Sequence, residues 1–229
     1  MSYYTTGSEV CLLPIPLYFA ADCKEIVTIS ETLNRALTGF GVYPDGTSRF
    51  PDTTVSALAV IDDAIPCVTL PGPETLDALA SCCGQGCFFD FMRPAAGLHS
   101  ALILGLQQRL PRAVPLFVPE RYHAMAPNTV CVLSRATPCN HWERYVAEKS
   151  ARYPSGWCLE LIPWDRRFPR KGERRPARHI ALACCELEET PEGLRYFDTP
   201  ETLKQRLEIA ERYGCCAAIG LYCELKTLA

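Results

Sequence analysis

The sequence predicts an α/β fold: a (β/α)8 TIM-like barrel, trimmed, with an inserted β-hairpin, in one domain over residues 1–229. Three observations predict it. About eight apolar, strand-like segments follow one another along the chain, most of them separated by helical patterns or long crossovers. Several of those segments are apolar on both faces, as parallel strands buried beneath helices must be. A length of 229 residues supports one large core but leaves a barrel short of some of its helices. The alternative, an open doubly wound sheet, would offer a glycine-rich phosphate loop after its first strand, and "FAADCKEI" has no glycine.

The elements follow in order. "CLLPIPLYFAA" is the first core strand. Asp22 and Glu25 have the spacing of a capping box, and Ile26, Ile29, Leu33 and Leu37 recur at helical intervals until Gly39, so a helix is expected there. Residues 39–54, rich in Gly, Pro, Asp, Ser and Thr, read as a loop before the strand "VSALAVIDD". "PGPETLDALASCCG" is a short helix, opened by Pro and Glu and stopped by Gly84. "GCFFDFM" is a strand, "GLHSALILGLQQRL" a helix, and "VPLFVP" and "TVCVLS" are strands. Residues 140–153 form a helix with Asn140 and Glu143 at its start. "WCLELIP" is a strand, and the basic, proline-broken run after it is a long loop. Residues 179–198 read as a β-hairpin turning at "TPEG"; Thr199 caps "PETLKQRLEIAERYG", and "CCAAIGLYCEL" closes the barrel. The two "PETL" segments, each a helix followed by a cysteine-bearing strand, suggest a duplicated α-then-β unit or merely a helix start used twice.

A net charge of −3, with 48% apolar and 21% charged residues, describes an ordinary globule without a global attraction for nucleic acid or anionic lipid. The 14 cysteines include three adjacent pairs and no C-x-x-C, so they read as reduced, apolar core residues rather than a disulfide framework or zinc site. His99, His123, His141 and His179 have no metal-ligand spacing, and no P-loop or G-x-S-x-G elbow occurs, so no metal and no cofactor are expected. The thiols, with no secretory leader recognisable in "CLLPIPLYFAA", lead to an expected cytoplasmic location.

Chemistry is expected at the C-terminal ends of the strands, where barrels of this kind carry their active sites. Side chains alternate along a strand, so Phe88, Asp90 and Met92 share one face and Cys87, Phe89 and Phe91 the other. The wholly apolar face belongs under helices, which turns Asp90 into the barrel. The same parity turns Cys158, Glu160 and Ile162 inward. Asp90 and Glu160 are therefore the candidate catalytic pair if the protein is an enzyme. Tyr18, Asp62 or Asp63, Glu120, Trp164, Asp165, Tyr222 and Glu224 fall at other strand ends as candidate ligand contacts, an acidic and aromatic rim suited to a sugar. A buried carboxylate must be hydrogen-bonded, paired or protonated, so each acid has a structural reading beside the functional one.

"QGCFFDFM", residues 85–92, resembles the fourth-strand signature D-G-x-D-x-D-x-E of glycoside hydrolase family 18, the chitinase barrels. Gly86 matches the glycine and Asp90 the last aspartate, which in that family assists the substrate's acetamido group. Gln85 and Phe88 replace aspartates, and Met92 stands in place of the glutamate proton donor. The resemblance implies a chitinase-like barrel that binds carbohydrate without the family's catalytic route, since a thioether cannot protonate a leaving oxygen.

Arg166, Arg167, Arg170, Lys171, Arg174, Arg175 and Arg178 form a basic stretch directly after the strand bearing Glu160. It is either a solvated loop or a clamp over the mouth that holds an anionic group, with Arg166 and Arg167 nearest the site. Three functions are carried forward: a non-catalytic glycan-binding barrel, a sugar-processing enzyme using Asp90 and Glu160, and an inert scaffold that meets an acidic partner through residues 166–178. A carbohydrate or other small polar ligand is expected as partner, and nucleic acid and membrane are not.

Overall fold

In the computed structural model, which describes residues 13–134, 142–169 and 186–229, the chain winds through twelve described strands. They are β1 (Leu17–Ala21), β2 (Asn34–Val42), β3 (Ser48–Arg49), β4 (Leu58–Asp62), β5 (Cys87–Asp90) and β6 (Leu116–Pro119). Then come β7 (Val130–Ser134), β8 (Trp157–Glu160), β9 (Asp165–Pro169), β10 (Glu186–Thr190), β11 (Gly193–Phe197) and β12 (Cys215–Leu221). Eight of them, β1, β2, β4, β5, β6, β7, β8 and β12, pair in parallel in that order, and β1 lies against both β2 and β12. The sheet is therefore closed, and β5 is its fourth strand. The trimming is visible: β6 leads to β7 through the four-residue helix α3 (Glu120–His123) instead of a full-length one.

The outer layer comprises α1 (Pro73–Cys82), α2 (Ala96–Arg109), α4 (Trp142–Arg152) and α5 (Pro200–Arg212). Phe19, Phe89, Ile61, Val118, Leu133 and Trp157 face these helices and form the main core with Leu79, Ile103, Leu106, Val146 and Leu207. The opposite face of the same strands fills the lumen with a second cluster, including Ala36, Leu58, Val60, Phe88, Phe117, Val132, Cys158 and Ile219. Burying a Phe or Leu this fully contributes about 1.5–3 kcal/mol each, so the lower barrel is a packed core rather than a pore. Cys83, Cys87, Cys131, Cys158 and Cys215 are buried free thiols within these layers.

One expected element is different. No helix spans 22–39: after a single 3-10 turn at Ile26–Thr28 the chain enters β2 at Asn34. The Asp22 carboxylate does accept from the Lys24 and Glu25 amides at 2.8 and 2.9 Å. Ser30 and Thr32 then exchange a hydroxyl contact and Leu33 N–H bonds Ser30 O, local bonds that compete with helix propagation. Leu37 is a core residue, but of a strand that pairs on both edges. Residues 39–42, expected in a loop, belong to that strand, and Gly39 takes φ +104° where its pairing to β4 is irregular.

The expected hairpin, seen as β10–β11, also recruits β9 from the start of the stretch expected to be a basic loop, giving a separate three-stranded antiparallel sheet. Residues 170–185, which carry the rest of the basic stretch and the start of the expected hairpin, lie outside the described residues. Asn140 and His141 do too. Both "PETL" segments are helices leading into barrel strands, α1 into β5 and α5 into β12.

Candidate functional site

Gly86, immediately before β5, has φ +121°, and a Cβ there would meet Leu58 at 2.7 Å and Pro115 at 2.9 Å. Only glycine lets the fourth strand enter at this depth, so the glycine of the motif has a backbone reason. From that start, Phe88 falls into the lumen and Asp90 one step above it, at the C-terminal mouth. Across the barrel Cys158 and Glu160 repeat the arrangement on β8.

Asp90 and Glu160 line the same two cavities. One, of about 250 Å³, is walled by Thr38, Val60, Phe88, Ile219, Leu221 and Glu224 and sits over the apolar lumen. The other, of about 740 Å³, continues over the ends of β6 and β7 to Met92, Glu120, Arg121, Ser134, Lys149 and Arg152. Burial first, and the nearby charge of Glu160 second, push the Asp90 carboxyl up to about 6. Asp62 and Asp63 add to the same upward push. Among the described residues neither Asp90 nor Glu160 has a hydrogen-bond donor or an ion-pair partner.

Asp62, Asp63 and Glu120, the other acids at the ends of β4 and β6, are occupied, whereas Glu224 is exposed. Asp62, in register beside Asp90, is bound by the Arg49 guanidinium and by the Ala64 amide at 2.9 Å. Asp63 is buried and accepts from the amides of Met92 at 2.9 Å and Arg93 at 2.6 Å, so it pins the turn that leaves β5. His99 approaches Asp63 at 3.4 Å, meets the Tyr122 hydroxyl at 2.7 Å with its other nitrogen, and stacks on Phe91. Burial lowers the His99 pKa. Glu120 accepts from Lys149 at 2.5 Å, Tyr153 at 2.8 Å and Arg152 at 3.4 Å, and these donors outweigh its burial and lower its pKa.

The aromatic candidates are placed away from the mouth. Trp164 is 8% exposed and packs on Tyr196 under the three-stranded sheet. Tyr222 lies edge-on to Phe19 on the helix-facing side of β1. Tyr18 sits low in the lumen against Phe117, 6.1 Å between ring centres. Asp165 is held in a two-pronged pair by Arg195 at 2.8 and 2.9 Å, and Arg167 lies 3.7 Å from Glu192. Arg166 pairs through its backbone with Tyr196 in the same sheet. Glu224 does line the smaller cavity. What sequence reasoning missed is the cationic side of the mouth: Arg121, Lys149 and Arg152. Arg121 follows a strand end directly, which was a usable signal. The position of Lys149 and Arg152, in the last turn of α4, depends on tertiary packing.

Among the described residues no group of three His, Cys, Asp or Glu side chains could hold a metal, and no helix is long and apolar enough to cross a membrane. No family model matches the chain, and no curated protein does. Solved structures do. The chain is similar to the spore cortex-lytic enzyme SleL of Bacillus megaterium QM B1551, with a TM-score of 0.53 and 12% identity over 89% of this chain and 69% of that one. It is equally similar to SleL of Bacillus cereus, with a TM-score of 0.53 and 13% identity over 90% and 70%. At such identity the likeness establishes the shared barrel architecture.

Proposed function

We propose that the protein binds a glycan in the mouth of its barrel, with Asp90 and Glu160 as the principal acceptors. The observation that carries this reading is the unpartnered state of those two half-buried carboxyls beside Asp62, Asp63 and Glu120, which are bound. A half-buried carboxylate without a donor is costly, and a polyhydroxylated ligand supplies O–H donors that remove the cost. The position of β5 as fourth barrel strand agrees with the resemblance to the chitinase barrels, and the likeness to cortex-lytic enzymes adds a glycan-acting fold relative. Met92 is 81% exposed at the place of the family's proton donor, which favours binding over that family's chemistry.

Titration calorimetry with chitooligosaccharides and a panel of other neutral and acidic oligosaccharides tests the reading. Saturable heat is expected with at least one, and Asp90→Asn is expected to weaken it at least about tenfold, the worth of a charge-assisted hydrogen bond. No heat with any sugar, or an unchanged affinity in Asp90→Asn, overturns it.

One observation favours a second reading. A carboxyl that keeps its proton to about pH 6 beside another carboxyl can act as a general acid, the division of labour that glycosidases use. Release of reducing ends from such oligosaccharides, lost in both Asp90→Asn and Glu160→Gln, would establish it; no release by the parent would remove it.

A further inference from the structure

The larger cavity has two electrically different walls. On one side stand Asp90 and Glu160. On the other stand three cations, Arg121, Lys149 and Arg152, against the single carboxylate of Glu120. Lys149 is largely enclosed and pairs with Glu120 at 2.5 Å. Arg152 reaches the same oxygen only at 3.4 Å, and its side chain is 68% exposed. Arg121 donates to the Phe91 carbonyl and lies over the Tyr122 ring, 4.9 Å from its centre, with no ion-pair partner among the described residues. One acid therefore answers three cations, and the excess faces the opening of the cavity that Asp90 and Glu160 close from the other side.

We infer that the ligand is an acidic glycan, one whose hydroxyls meet Asp90 and Glu160 while a carboxylate substituent meets Arg152 and Arg121. The inference rests on the glycan-binding reading and narrows it to a substrate class. A neutral sugar would satisfy the acidic wall and leave the guanidinium groups solvated. A simple anion would satisfy the cations and be repelled by the acids. A molecule carrying both kinds of group gives the acids their missing hydrogen-bond donors and places a negative charge beside the guanidinium groups. A volume of about 740 Å³ is within the range of sites that take ligands of disaccharide size or more. Arginine supplies the forked donor geometry that recognises a carboxylate in two places.

The test uses the full chain and two disaccharides that differ by one group: N,N′-diacetylchitobiose, and N-acetylglucosaminyl-N-acetylmuramic acid, whose lactyl ether adds a carboxylate. The acidic disaccharide is expected to bind at least about tenfold more tightly at low salt. That advantage should shrink as salt rises. Arg152→Gln, at an exposed position whose loss leaves Glu120 with Lys149 and Tyr153, should reduce the advantage several-fold. Arg121→Gln with Arg152→Gln should bring the two affinities together. Equal affinity of the parent protein for both sugars overturns the inference and leaves glycan binding standing. Binding of neither, with no heat from any oligosaccharide, overturns both.

Discussion

Asp62 and Asp90 stand in register on neighbouring strands, at the same height in the same barrel, yet their surroundings are opposite. Asp62 has a guanidinium and an amide; Asp90 has an apolar floor, Phe88, and a second carboxyl opposite. The comparison extends around the molecule. Asp63, Asp198, Glu120 and Asp165 are each built into a bonded arrangement that holds an element in place, whereas Asp90 and Glu160 hold nothing. Acids of the first kind maintain the fold; acids of the second kind sit in the folded chain at a cost in stability.

The largest expected effect lies with the partnered acids. Asp198 has no exposed side-chain surface and accepts from Arg206, the Trp164 amide at 2.7 Å and the Thr202 hydroxyl at 3.1 Å. Asp198→Ala would leave the Arg206 charge buried and is expected to cost about 3–5 kcal/mol in denaturant unfolding. A loss under about 1 kcal/mol would erase the distinction drawn between the two kinds of acid.

Asp90→Asn should behave in the opposite sense. Because the folded-state pKa of Asp90 is raised, its contribution to stability is fully present below the ordinary aspartate value. That contribution is lost as pH rises through about 6. The asparagine variant lacks this decline, so above pH 6 it should be more stable than the parent by roughly 1–2 kcal/mol after solvent screening. Melting curves at pH 4 and pH 7 check it: the gap between variant and parent should widen toward pH 7.

Glu160→Gln sharpens the comparison further. Removing the second carboxyl should lower the Asp90 pKa from about 6 without returning it to the ordinary value, since burial, the larger cause, remains. Carbon-detected titration of the Asp90 carboxyl reads this directly. At the small end, Asp165→Asn breaks a largely exposed pair with Arg195 and should cost under about 1 kcal/mol, measured by the same unfolding assay.

The inward turn of Asp90 and Glu160 was legible because strand parity is local: an all-apolar face on the other side of each strand leaves one choice. The closed barrel was legible from alternation and from strands apolar on both faces. β2 was not. Leu33, just before it, and Leu37 within it match a helical period as well as a strand's, and the decision is made by pairing to β1 and β4, which no local window contains. Trp164 and Tyr222 line neither cavity: Trp164 follows β8 by four residues and packs on Tyr196, and Tyr222, directly after β12, packs on Phe19. Arg49 as partner of Asp62, and His99 with Tyr122 behind Asp63, join residues 13 to 36 positions apart, so only the folded chain brings them together.

The measurement that bears most directly on the account is the Asp90 carboxyl carbon resonance, followed through a pH titration with and without a saturating oligosaccharide. The account predicts a free-state midpoint near 6 and a clear displacement of that midpoint on binding, because the sugar replaces the missing donors. A midpoint in the ordinary aspartate range, or a bound sugar that leaves the Asp90 titration unmoved, would contradict it.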